Sequence, residues 1–195
     1  IAPRFPMLRM KSHSRFREVV FVHVPKTAGT SITDYLFRSP LKGHIPISRL
    51  FYQDRIRYNE SFKFTFARNP WGRFESGFHH YTSALDESLE CERAREISEL
   101  FRGIDSIDNF VSKIESNDQY RKAIFRLPLF RPQCDWITVP KERGQGRAIG
   151  VDFIGKYERL NQDFTMLKSI LDITNNSELP VLRKQYNGLG KKINN

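Results

Sequence analysis

The chain has 195 residues, 39% of them hydrophobic and 13% aromatic, and a formal net charge of +10. That length and usage suit one globular domain with a sizeable core and exclude collagenous, low-complexity and disulfide-framework proteins. No apolar run reaches the roughly 18–20 residues of a membrane span, no signal-peptide core stands at the N-terminus, and the positive excess points to anionic partners.

In chain order, a basic extension over residues 1–17, with Arg4, Arg9, Lys11, Arg15 and Arg17, precedes the first strand and reads as solvated surface or as a polyanion groove. Residues 19–24 are apolar apart from His23, the pattern of a strand covered on both faces of a parallel α/β sheet. This strand runs into Pro25-Lys26-Thr27-Ala28-Gly29-Thr30-Ser31, after which Ile32, Tyr35 and Leu36 recur at helical spacing over residues 30–38. Gly29, Thr30 and Ser31 therefore open a helix, where unpaired backbone N–H groups and the helix dipole favour a phosphate. The nucleoside triphosphate loop needs Gly, four residues, Gly, then Lys and Ser or Thr; here Lys26 stands three residues before Gly29, so the turn is related but differently wired.

A second strand, residues 63–67, leads into Arg68-Asn69-Pro70, and Asn then Pro is a helix-start signal for a helix over residues 69–85. Phe74, Phe78, Tyr81 and Leu85 form its core stripe, with Asn69, Arg73, Ser76 and His80 on another face. Arg68 at the strand exit and Ser76 two turns into the helix stand where a guanidinium fork and a hydroxyl can grip one phosphate. Further helices are expected over 88–102, 106–116 and 160–172, and a third strand over 151–157. Gly144-Gln145-Gly146, between Trp136-Ile137-Thr138-Val139 and Ile149, marks a surface turn or a hairpin near the site. There is no internal repeat. One domain spans residues 1–195, ending in a basic tail over 183–195.

Together these motifs resemble the carbohydrate branch of the sulfotransferases that use 3'-phosphoadenosine 5'-phosphosulfate (PAPS), the heparan 2-O- and chondroitin type, sulfotransferase family 2. Pro25 to Ser31 resembles their 5'-phosphosulfate loop, and Arg68 with Ser76 their 3'-phosphate site. Val151 to Leu160 and Leu179-Pro180 also resemble that family, so the likeness covers roughly residues 19–182. It implies a P-loop-like three-layer α/β fold with a central, mostly parallel sheet flanked by helices. It also implies sulfonate transfer from PAPS to an acceptor hydroxyl, most naturally on a carbohydrate, leaving adenosine 3',5'-bisphosphate. PAPS would be held by Lys26, Thr27, Ala28, Gly29, Thr30, Ser31, Arg68 and Ser76, with Arg183 and Lys184 closing as a late basic loop.

In-line transfer needs a base for the acceptor hydroxyl and a cation at the leaving oxygen. Lys26 is the expected cation. Imidazole titrates near neutrality, so His13, His23, His44, His79 and His80 compete for the base. His44, in Lys42-Gly43-His44-Ile45-Pro46, matches the Gly-His segment that carries the base in the heparan 2-O type; His23 reads as a core histidine, and His80 as a lining residue of the acceptor pocket. No His, Cys and Asp cluster at ligand spacing calls for a metal. Arg131, Gln133, Asp135 and Trp136 form a polar and aromatic cluster that lies near the cleft in the resemblance, or else surface polar groups beside one buried Trp.

Two rival classes fit less of the chain. A P-loop nucleotide kinase would require a Gly-Lys-Ser/Thr order and an acidic magnesium ligand at a strand end, and a non-catalytic nucleic-acid or anionic-glycan module would leave the Lys26 loop and the Arg68/Ser76 pair without a purpose. Cys91 and Cys134, read as free thiols, suit a cytoplasmic protein; the alternative is the lumenal part of a membrane-anchored Golgi enzyme, for which Asn59-Glu60-Ser61 and Asn175-Asn176-Ser177 would be glycosylation acceptors.

Overall fold

Val19 and Phe21 pack into one apolar cluster and Val20, Val22 and Val24 into another, so an uninterrupted apolar run becomes a strand with both faces covered. The computed structural model describes residues 7–9, 16, 18–38, 43–84, 92–174 and 179–180. In chain order the elements are β1 (Met7–Arg9), β2 (Glu18–Phe21), α1 (Gly29–Phe37), α2 (Ile47–Gln53), α3 (Arg55–Glu60), β3 (Phe62–Ala67) and α4 (Pro70–Ala84). There follow α5 (Glu92–Phe101), α6 (Ile107–Ser116), α7 (Asp118–Arg126), α8 (Cys134–Ile137), β4 (Thr138–Pro140), β5 (Arg147–Ile149), β6 (Phe153–Lys156), a 3-10 turn (Tyr157–Arg159) and α9 (Leu160–Ile170). They fall into two compact units, one built on described residues of Ile1–Asn69 and Pro132–Arg183, the other on Pro70–Arg131.

The first unit carries a sheet of order β1-β2-β3-β6. Strands β2, β3 and β6 run parallel, with Phe21 opposite Phe64 and Phe64 opposite Phe153, while β1 pairs antiparallel with β2. One face is covered by Ile32, Tyr35 and Leu36 of α1 and by Phe164 and Leu167 of α9; the other by Ile47 and Leu50 of α2, Trp136 and Ile137 of α8, and Val139 of β4. This is the expected three-layer α/β arrangement. Parallel order sends β2, β3 and β6 out at one sheet end, where open α/β sheets bind their ligands. At the opposite end the Asp152 carboxylate accepts from the Lys63 N–H at 2.7 Å and pairs with the Lys63 ammonium at 3.0 Å, so the buried cation is neutralised where β3 begins. Gly155 is required in β6 because a Cβ there would overlap the ring of Phe66.

In the second unit Phe74, Phe78 and Tyr81 of α4 pack with Phe101, Phe110, Ile124 and Phe130 in an aromatic cluster, as the stripe predicts; Leu85 lies outside the described residues. Arg73 departs from expectation. Its guanidinium is buried rather than on a polar face and donates to the carbonyls of Leu129 and Arg131, each at 2.7 Å, which satisfies two chain-end acceptors inside the unit.

The expected strands and helices are present with shifted ends: the third strand is Phe153–Lys156, since Tyr157–Arg159 tightens into a 3-10 turn. The expected helix over 88–102 is described only from Glu92. The short α2, α3 and α8 and strands β1, β4 and β5 have too few residues for a hydrophobic period, and α7, as long as α1, is a further helix outside the expected set. The Gly144-Gln145-Gly146 segment is the turn of a hairpin, β4 pairing antiparallel with β5.

The turn from β2 to α1 is held from within. Thr27 is fully buried and its hydroxyl donates to the Val24 carbonyl at 2.8 Å; Thr33 donates to the Gly29 carbonyl at 2.7 Å. Gly29 leaves room for the imidazole of His23, which a Cβ would overlap. Gly29→Ala is therefore expected to lower stability by about 1–3 kcal/mol through overpacking, read as a fall in melting temperature; a wild-type melt would mean that His23 moves aside freely.

Candidate active site

The loop after β2 carries two L-residues in the left-handed region, Lys26 (φ 67°) and Ala28 (φ 65°, ψ 19°). Each placement costs on the order of 1–2 kcal/mol against the right-handed alternative, and is kept because the buried Thr27 between them is tied to Val24. The consequence is a sharp turn that ends at the first residue of α1. Ala28 has no side chain to cap that helix, and no acidic residue stands in its first turn. The amides of Gly29, Thr30 and Ser31 thus form a helix N-terminus open to an anion, with the exposed Thr30 and half-buried Ser31 hydroxyls beside them. The Thr27 hydroxyl is engaged inside the loop, where it shapes the turn.

His44, just after Gly43 (φ 81°), is half-buried. Its ring lies 4.2 Å from that of His23 between centroids, tilted, and 5.9 Å edge-on from buried Trp136, so the expected base, the core histidine and the Trp of the polar cluster form one aromatic cluster. Nδ1 of His44 is 3.1 Å from the His23 carbonyl. A carbonyl only accepts, so in the neutral ring Nδ1 carries the proton and Nε2 keeps its lone pair. Burial pushes the pKa of His44 below 6.5, against the raising effect of the His23 carbonyl, and the positive charge of Lys26 lowers it further. Lys26 and His44 thus act on one another electrostatically.

Arg68 follows β3, at the same sheet end. Its guanidinium donates to the Lys26 carbonyl at 3.3 Å and lies over the Tyr157 ring at 4.3 Å. Its peptide is gripped by Gln133, and the next amide, of Asn69, donates to the Glu158 carboxylate at 2.6 Å. The structure thus gathers Lys26 to Ser31, His44 and Arg68 in the first unit. All are donors or neutral groups, a set that fits a phosphate or sulfonate ligand.

Ser76 lies half-buried on α4 in the second unit, as do His79, whose Nε2 is 3.8 Å from Glu75, and His80. His13, Arg183 and Lys184 lie outside the described residues, as does Cys91; Cys134 is a free, exposed thiol. Among the described residues no three His, Cys, Asp or Glu side chains gather as a metal site, and no helix is long and apolar enough to cross a membrane. Sequence reasoning gave no role to Gln133, Tyr157 or Glu158. All three stand in segments that it noticed, but contacts across 65 and 89 positions leave no local signal.

The model of the sulfotransferase family, family 2, matches residues 13–194. No curated protein and no solved structure gives a match. Because the match covers nearly the whole length, the chain belongs to the sulfotransferase family and is an enzyme that transfers sulfate.

Proposed function

We propose that this sulfotransferase takes the sulfonate group of PAPS and passes it to a hydroxyl of a carbohydrate acceptor. The observation that carries the reading is a half-buried imidazole with a depressed pKa, set beside the charge of Lys26 and an uncapped helix start. When bound, the donor supplies an activated sulfonate on its 5'-phosphate. The amides of Gly29, Thr30 and Ser31, with the Thr30 and Ser31 hydroxyls, would hold that phosphate, and Arg68 the 3'-phosphate. Ser76, Arg183 and Lys184 enter this reading on the sequence resemblance alone.

His44 takes the proton of the acceptor hydroxyl at Nε2, since Nδ1 is engaged by the His23 carbonyl. The Lys26 ammonium opposes the negative charge left on the 5'-phosphate as the acceptor oxygen gains the sulfonate. No metal has a part in this scheme. The surplus of basic residues favours an acceptor that carries uronate or sulfate groups.

The test is transfer of radiolabelled sulfonate from PAPS to a panel of uronate-bearing, sulfated and neutral sugars, with a tyrosine peptide as control; labelling of the peptide alone would overturn the carbohydrate assignment. His44→Ala should lower kcat by about 10² or more while leaving the donor Kd unchanged; full activity would remove His44 from the mechanism. The pH profile follows from the sign of the shift. A base works when neutral, so kcat/KM should be lost as pH falls through a midpoint below 6.5 and stay level above it. The same acid limb in the residual activity of His44→Ala would assign it to another group.

A further inference from the structure

The geometry points to Gln133 as a positioning residue that aims Arg68 at the donor's 3'-phosphate, an inference that rests on the donor reading above. The ladder between β3 and β6 ends at the pair Ala67 and Lys156, so the peptide groups of Arg68 lie beyond the last strand partner. Gln133 supplies what a neighbouring strand would. Its Oε1 accepts from the Arg68 N–H at 3.0 Å, and its Nε2 donates to the Arg68 carbonyl at 2.7 Å. Bonds on both sides of one Cα fix the two dihedrals that set where the side chain leaves the backbone. Glu158 holds the following amide, and Tyr157 lies under the guanidinium, so the residue is held at its backbone and along its side chain.

The residue type is informative. Only a side chain with both a donor and an acceptor makes this pair of bonds, and a neutral amide does so without bringing a carboxylate toward a phosphate site. A glutamate would turn an oxygen against the Arg68 carbonyl and add a repelling charge. Gln133 touches no reacting atom, and acts through Arg68 alone.

The test compares affinities for adenosine 3',5'-bisphosphate and adenosine 5'-monophosphate in wild type, Gln133→Leu, Gln133→Glu, Arg68→Ala and the Arg68→Ala/Gln133→Leu double variant, with thermal melts alongside. Wild type should prefer the bisphosphate, and Gln133→Leu should weaken that ligand roughly tenfold with little effect on the monophosphate. The double variant should match Arg68→Ala. Gln133→Glu keeps one of the two bonds and provides a second readout if the leucine variant folds poorly; it too should lose the preference. Equal weakening of both ligands, or a preference kept in both Gln133 variants, would reduce Gln133 to a structural part and overturn the inference while leaving the donor reading intact. A wild type without the preference would overturn the role of Arg68, and the inference with it.

Discussion

Lys26 and Ala28 sit at positive φ without being glycine, and the other parts of the first unit's site take their places around that turn. The chain must pass from the end of a buried parallel strand to the start of a helix in a few residues, with the helix amides facing outward. A relaxed loop would be longer and would turn those amides elsewhere. The strain is offset by a buried threonine tied to the strand end and by a glycine that lets the His23 ring close behind it, while the helix starts without a side-chain cap. That ring in turn lies tilted against His44, so the loop and the His44 imidazole pack together.

Electrostatics follow from the same packing. Burial depresses the pKa of His44, and the Lys26 cation acts in the same direction, which keeps the imidazole neutral and able to accept a proton. In the proposed reaction the lysine that faces the leaving phosphate also keeps the nearby imidazole deprotonated. One cation thus serves both ends of the proposed in-line transfer.

The parts legible in the sequence are those with a local signature. The β2 strand shows as an apolar run, the α1 start as a Gly-Thr-Ser opening before helical spacing, and α4 as Asn-Pro followed by an aromatic stripe. His44 stood out through its resemblance to a Gly-His segment, and the structure then placed it against His23 and Trp136. Arg73 was misread because an arginine at polar-face spacing gives no hint of two carbonyls more than fifty residues away. The internal bond of the Thr27 hydroxyl is not legible for a related reason, since its partner is a backbone carbonyl whose position only the fold sets. Gln133 belongs to the same class, since its amide closes on a peptide 65 positions earlier in the chain. Short elements such as α2, α3 and β5 were illegible because they are too short to show a hydrophobic period.

The most direct measurement is a crystal structure of the enzyme with adenosine 3',5'-bisphosphate. The account requires the 5'-phosphate to lie within hydrogen-bond reach of the amides of Gly29 to Ser31 and of the Lys26 ammonium. A nucleotide seated away from that turn, or one whose phosphates are held without it, would contradict the account.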